Sequence, residues 1–292
     1  MSLARPHPLS GDLDPFFTFD YVPIDQPEST GVDRRPTTYW SVVRGSRGPG
    51  PVPDWLVLDA GAVDTELGVL KTGKEADVFL LERTAEHTTP LESCLLAAKR
   101  YRSPEHSSFR RSSLYVEGRG VRRSRDQRAL ERKSAYGRQV EAGRWAYAEW
   151  EALCAALSAG VAVPYPVSVQ GSELLMEFAG SPDGTAAPRL AETRPTPDLL
   201  EHCWRQVSDI VLGLAGLGWA HGDLSPYNLL VHGETVLAID LPQVVDVVAN
   251  PRGRELLHRD CVNVATWFTA KGHPAEADVL FVAGKAGVLD HE

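Results

Sequence analysis

Cysteine is scarce in this chain, four residues in 292, and no two of them form a C-x-x-C pair. Cys94, Cys154, Cys203 and Cys261 lie far apart in apolar surroundings. That excludes a zinc ribbon or a disulfide framework as the organising device and predicts buried, reduced thiols. Long apolar runs are also missing. None approaches the ~20 residues a membrane-spanning helix needs, and Met1–Pro8 has no apolar signal core, so the expectation is a cytoplasmic protein without membrane contact. An excess of positive charge is absent as well: the net charge of −9 argues against a general polyanion binder. No internal repeat is visible. The remainder, 43% hydrophobic and 24% charged, suits one large or two smaller globular domains with a sizeable core.

Residues 1–53 carry nine of the 21 prolines and little periodicity, and are read as a mostly irregular tail with local packing through Phe16, Phe17, Phe19 and Tyr21. From residue 54 the character changes. The runs 67–70, 76–81 and 95–99 are short, apolar and separated by turn residues, which predicts an antiparallel meander. Gly73, between the first two, lets the backbone approach a ligand closely. Lys99 ends the third run, and strand alternation aims it where Ala97 and Leu95 point. Between about 141 and 158, Trp145, Ala148, Ala152, Leu153, Ala156 and Leu157 follow helical spacing, and Glu149 lies one turn from both Trp145 and Leu153. An inward Lys on a strand and an inward Glu on a helix predict an ion pair across a cleft.

Residues 103–140 hold ten Lys or Arg against four Asp or Glu and are read as a solvated, mobile, basic insert. Such an insert offers a contact to an acidic protein segment, to RNA or to a triphosphate, although three aromatics (Phe109, Tyr115, Tyr136) are thin interleaving for RNA. Residues 174–178 predict a buried strand that runs into a Pro/Gly-rich linker between two lobes. Thr196-Pro197 then starts a helix with Leu200, Trp204, Val207, Val211 and Leu214 on one stripe. A further amphipathic helix carries Leu257, Cys261, Val264 and Phe268.

The stretch the chain is built around is His221-Gly-Asp-Leu-Ser-Pro-Tyr-Asn228, followed by a short apolar run, Val236–Ile239, that ends at Asp240. One carboxylate (Asp223) can accept a proton from an attacking hydroxyl. A carboxamide (Asn228) and a second carboxylate (Asp240) offer hard oxygens to Mg²⁺, which favours one or two protein carboxylates plus the nucleotide's phosphates. H-G-D alone would pass for a polar loop. The full H-x-D-x-x-x-x-N loop with a strand-terminal Asp is far harder to obtain by chance.

Over about residues 60–270 the chain resembles the RIO family of atypical serine/threonine protein kinases. Lys71-Thr-Gly-Lys-Glu-Ala-Asp-Val-Phe79 looks like its phosphate loop, with Lys71, Gly73 and Ala76 at the three glycine positions of ordinary kinases. Ala97-Ala-Lys99 looks like its lysine strand, and Tyr115–Gly118 with the Arg-rich run looks like its insert. The His221 loop and Ile239–Gln243 look like its catalytic and metal loops, and Arg259–Val264 matches a stretch of its C-terminal helix. Pro226 stands where many relatives carry Glu, and no A-P-E-type segment follows Asp240.

This resemblance implies an α+β, two-lobed protein-kinase-like fold. Residues 54–178 would form a small antiparallel N-lobe with one helix. Residues 179–292 would form a mostly helical C-lobe without the activation-loop and peptide-binding subdomains. It implies ATP with Mg²⁺, or Mn²⁺ in its place. Val78 and Ala97 would cover the adenine, with Met176 behind it and the backbone of Glu177 and Phe178 at its edge. Thr72, Gly73, Lys74 and Lys99 would hold phosphates, and Glu149 would orient Lys99. Asn228 and Asp240 would hold the metal, Asp223 would act on the acceptor, and His221 and Ser225 would support the loop. Two activities follow: phosphorylation of a protein acceptor not named by the sequence, the chain itself included, and an ATPase cycle with a transient phosphate on Asp240, coupled in some members to a ribosomal particle. The alternatives are an aminoglycoside- or choline-type phosphotransferase, which shares the H-G-D loop, and a nucleotide-binding scaffold without catalysis.

Overall fold

The computed structural model describes residues 33–102 and 135–289. Residues 1–32 and most of the basic insert, 103–134, lie outside them, and with them the expectations for the tail aromatics and for an RNA or ribosomal contact. A six-stranded antiparallel sheet forms the first lobe. Its strands in chain order are β1 (Arg34–Pro36), β2 (Val63–Thr72), β3 (Ala76–Ala85), β4 (Glu92–Tyr101), β5 (Pro166–Gln170) and β6 (Glu173–Glu177), in spatial order β1-β2-β3-β4-β6-β5. Helix α1 (Ala135–Ser158) packs on one face, beginning six residues before the expected start.

Strand alternation sorts the two faces of the sheet. Ala76, Ala97, Tyr101, Leu174 and Met176 join the main core with α1 and the second lobe. Leu81, Leu96, Ala98 and Leu175 point the other way, onto Tyr39 and Leu56. Here the structure departs from the sequence reading. Residues 33–53, expected in an irregular tail, are part of this lobe: β1 pairs with β2, Tyr39 is buried, and Gly48 N–H donates to Val167 O at 3.0 Å. Tertiary burial of single aromatic side chains holds the segment, and that leaves no periodic trace in the sequence.

The second lobe is built on α2 (Pro197–Gly216), α3 (Gly253–Ala270) and α4 (Ala277–Leu289). Thr196 caps α2, its hydroxyl accepting from Leu199 N–H, with Pro197 in the first turn. Two small ribbons sit between α2 and α3: β7 (Trp219–Ala220) with β10 (Val245–Asp246), and β8 (Leu229–His232) with β9 (Thr235–Ala238). β10 pairs with β7 five residues after Asp240, so the chain returns to the lobe at once and leaves no long activation loop. Among the described residues no helix is long and apolar enough to cross a membrane, and all four cysteines are free.

Candidate active site

Lys99 sits on the cleft face of β4, in register with Val78 of β3 and Leu174 of β6. It is 9% exposed, too buried to stay charged alone. Its Nζ donates to Glu149 Oε1 at 2.8 Å and to Asp240 Oδ1 at 2.6 Å. Burial alone would depress the ammonium, but Asp240 and Glu149 outweigh it and raise its pKa. Glu149, 1% exposed, comes from α1, where Ala142, Ala146, Trp150 and Leu153 share its inward side. Its second oxygen accepts from the Tyr101 hydroxyl, and the Tyr101 ring lies 5.2 Å from Lys99 Nζ. Burial, then Glu149, pushes the Tyr101 phenol well above its usual range. The hydroxyl therefore stays a donor.

The opposite wall is the His221–Asn228 loop. Its backbone is gripped by α3: Gly222 N–H donates to Asp260 Oδ2 at 2.8 Å and Leu224 N–H to Asp260 Oδ1 at 3.0 Å. Arg259 donates to Gly222 O and Asn263 Nδ2 to Leu224 O. Gly222, at φ +84, supplies the left-handed turn this path requires. His221 Nε2 lies 3.0 Å from Ile239 O while Asp223 N–H donates to Nδ1, which assigns the proton to Nε2. Asn228 Nδ2 donates to Asp223 O at 2.9 Å, and Ile239 N–H to Asn228 O at 3.0 Å. With its own backbone tied on both sides, Asp223 presents an exposed carboxylate.

Asp240 follows β9 with φ +70, the one positive-φ residue other than glycine among those described. Such a conformation costs on the order of 1–3 kcal/mol, and the bonds to both sides of the Ile239 peptide hold it. Lys99 first, against burial, then Lys71 and His221, lower its carboxyl to about 2, so it is ionised. Its side chain is 41% exposed. One Asp240 oxygen meets Lys99, and the Asn228 Oδ1 is not the atom bonded to Asp223. That leaves one carboxylate oxygen and one carboxamide oxygen from neighbouring chain segments, too few for a protein-only cage. No group of three or more His, Cys, Asp or Glu among the described residues is placed to hold a metal ion. Two hard oxygens do fit a magnesium ion that takes its remaining ligands from phosphate and water.

Of the other residues singled out in the sequence, Val78, Ala97 and Met176 lie on the cleft face with Lys99. Gly73 closes a tight turn, where an added Cβ would stand 2.8 Å from Ala76 O. Lys74 is exposed on the same turn. Thr72 pairs with Asp77 on the outer face, and its hydroxyl bonds that carboxylate, so its side chain is turned away from the cleft. The Glu177 N–H already donates to Tyr165 O at 2.8 Å, which leaves Phe178 as the linker amide for a base edge. Ser225 caps no helix with its side chain but its carbonyl accepts from Asn228 N–H. Sequence reading missed Tyr101, Lys71, Arg189 and Asp260. Asp260 is an acid on the apolar stripe of Leu256, Leu257 and Val264, the same signal that identified Glu149.

Comparison with known proteins shows the family and the fold. The sequence model of the RIO domain family matches residues 86–280. The RIO-type serine/threonine-protein kinase Rio1 of Haloferax volcanii is 37% identical over 234 residues, 80% of this chain and 73% of that protein. Human serine/threonine-protein kinase RIO3 is 28% identical over 226 residues, 75% of this chain but 41% of that protein. The crystal structure of the Rio2 kinase from Chaetomium thermophilum superposes with a TM-score of 0.55 at 20% identity, covering 76% of this chain and 63% of that one, a likeness of fold.

Proposed function

The chain belongs to the RIO domain family, and from that premise we propose that it is an ATP- and magnesium-dependent phosphotransferase, a serine/threonine protein kinase that also phosphorylates itself. The observation that supports this most is Lys99 bonded at once to Glu149 of α1 and Asp240 of the other lobe. A buried lysine bracketed by two carboxylates from separate elements has no packing advantage over an apolar residue; its use is to hold charge where phosphates arrive.

Bound MgATP supplies the phosphoryl group and the ion's charge against its oxygens. Val78, Ala97 and Met176 enclose the base, and the Phe178 amide meets its edge. Lys99, kept in place by Glu149, holds phosphate oxygens together with backbone N–H groups around Gly73 and the Lys74 ammonium. Asn228 Oδ1 and Asp240 hold the metal ion, Mg²⁺ or Mn²⁺. Asp223 accepts the acceptor's hydroxyl proton as that oxygen bonds the γ-phosphorus and the bond to the β,γ-bridging oxygen breaks. His221 fixes the loop and does not react.

A second reading is favoured by Asp240 itself, a carboxylate held ionised at a pKa of about 2 and 41% open. As a nucleophile it would carry the phosphoryl group until water removes it, an ATPase cycle without an external acceptor. The small-molecule reading loses support because residues 178–196 form only two isolated bridges and a 3-10 turn, with no helical insert for a substrate pocket.

The test is incubation of the purified chain with γ-labelled MgATP, separating phosphate on the chain, on added protein and free in solution. Acid-stable label on serine or threonine supports the kinase; hydroxylamine-labile label lost in Asp240→Asn supports the aspartyl phosphate. Nucleotide binding without turnover would make it a scaffold, and transfer to choline or an aminoglycoside but not to protein would overturn both readings.

A further inference from the structure

The cleft holds two cations that the assigned roles do not use. Lys71 is the first. β2 carries a bulge between Val69 and Lys71, and its effect is specific. Val69 pairs with Phe79, on the outer face, whereas Lys71 pairs with Val78, and Val78 pairs with Lys99. In an unbroken strand, residues two apart share a face, and Lys71 would point outward with Val69, which is 58% exposed there. The bulge turns it inward. Lys71, Val78 and Lys99 thus form one row across three strands on the cleft face, the two lysine backbones about 10 Å apart. Among the described residues Lys71 has no ion-pair partner.

Arg189 is the second, and it belongs to the opposite side. It precedes the 3-10 turn Leu190–Glu192, bridges to Leu230 of β8, and donates from its guanidinium to the carbonyl of Tyr227, next to Asn228. Burial first, then repulsion from Arg189, lowers the Lys71 ammonium, with Asp240 pulling the other way. Two like charges brought together from opposite walls, with the carboxylate that acts on Lys71, Asp240, already bonded to Lys99, ask for an anion.

Charge supplies the reason. Lys99 and Lys74 with Glu149, Asp240 and Asp223 sum to −1, which repels the −2 of a magnesium–nucleoside triphosphate. Lys71 and Arg189 add +2. We propose that Lys71 and Arg189 form a second anion-binding pair across the cleft mouth that takes the terminal phosphate of a nucleoside triphosphate and so favours it over the diphosphate. This rests on the nucleotide reading of the site and adds the residues that select the charge state of the nucleotide.

The experiment is calorimetric titration of the full chain with MgATP and with MgADP, for the wild type, Lys71→Met, Arg189→Met and the charge-keeping Lys71→Arg. Each methionine variant should lose roughly tenfold or more in affinity for MgATP, the size of one charge-assisted contact, with MgADP changed far less. Lys71→Arg should keep the preference. A thermal melt checks folding, and the surface position of Lys71 makes that variant the safer of the two. Parallel weakening of both nucleotides, or no change in either, overturns the pair while leaving the site reading intact. A wild type that binds neither nucleotide overturns both.

Discussion

Above the cleft, Lys99 is fixed by side chains: Glu149, Asp240 and the Tyr101 hydroxyl behind them. Below it, Asp223 is fixed by its backbone: its own amide on His221, its carbonyl on Asn228, and the amides on either side of it on Asp260. On the function proposed above, the difference follows from what each wall would do. A charge meant to sit among phosphates has to be buried, and a buried charge needs ionic partners. A carboxylate meant to take a proton from an incoming hydroxyl has to stay open, so its position must come from the chain beneath it. The upper wall is therefore sensitive to loss of charge, and the lower wall to loss of hydrogen-bond acceptors several residues from the chemistry.

The sharpest break of that contrast is at Asp223. Asp223→Ala removes a group that contributes no support to its own loop, so turnover should fall by about 10²–10³ while the stability and the MgATP affinity of the protein hardly move. Single-turnover transfer, equilibrium binding and urea unfolding measure the three separately. If binding collapses together with turnover, Asp223 helps to hold the nucleotide, and the division between the walls fails.

Next is Asp260, whose change should do the reverse. Asp260→Ala leaves the buried N–H groups of Gly222 and Leu224 without acceptors, at roughly 1–3 kcal/mol each. Urea unfolding should show that loss, and turnover should fall with it because Asp223 is no longer aimed. The carboxyl of Asp260 is raised by burial, against His221 and the two amides, so Asp260→Asn removes the desolvated charge but keeps one acceptor. It should recover part of the stability. An Asp260→Ala protein as stable as the wild type would show that α3 does not hold the loop.

These two residues also mark what the sequence could say. Asp223, Asn228, Asp240, Lys99 and Glu149 were legible because motif spacing and an inward charge on a periodic stripe are local patterns. Asp260 was legible by the same rule, one turn from Leu256, Leu257 and Val264, but the amides it accepts from belong to a loop some 36 residues earlier. Tyr101, two residues after Lys99, shares its face by alternation, but the partner of its hydroxyl depends on where α1 docks, and α1 is separated from β4 by residues 102–134. The direction of Lys71 rests on one bulge, and Thr72 points outward because of the same shift in register. The packing of residues 33–53 was hidden because Tyr39 and Val52 pack onto the outer face of the sheet, not through a pattern of their own. Local chemistry and regular facing were readable; facing set by a bulge, and docking between distant segments, were not.

Tyr101 gives a smaller test of the upper wall. Tyr101→Phe keeps the ring beside Lys99 but leaves Glu149 Oε2 short of a donor, a loss of about 1–2 kcal/mol. Glu149 Oε1 still meets Lys99, so the expected kinetic result is a several-fold rise in the KM for ATP with kcat little changed. An equal fall in kcat with KM constant would place Tyr101 in the reaction instead of behind it.

The smallest expected effect is that of pH on the pair joining the walls. The Asp240 carboxyl is lowered from 3.8 to about 2, by Lys99 first, so the stability it contributes is present above pH 3.8 and is lost as pH falls towards 2. The Lys99 ammonium is raised from 10.5 by Asp240 and Glu149, against burial; its contribution is complete below pH 10.5 and is lost only as pH rises beyond that. Between about pH 5 and 9 both groups keep their charges and the pair adds no slope. Because Asp240 is 41% exposed, solvent and salt screen what the pair is worth. Urea midpoints of the wild type and Asp240→Asn should run parallel through neutral pH and converge below about pH 4, where unfolded wild type takes up a proton at Asp240 that the folded protein takes up only near pH 2. Added salt should narrow the gap. Curves that stay parallel down to pH 2 would mean that the two walls are not joined through this carboxylate in the free protein, and that Lys99 is held by the upper wall alone.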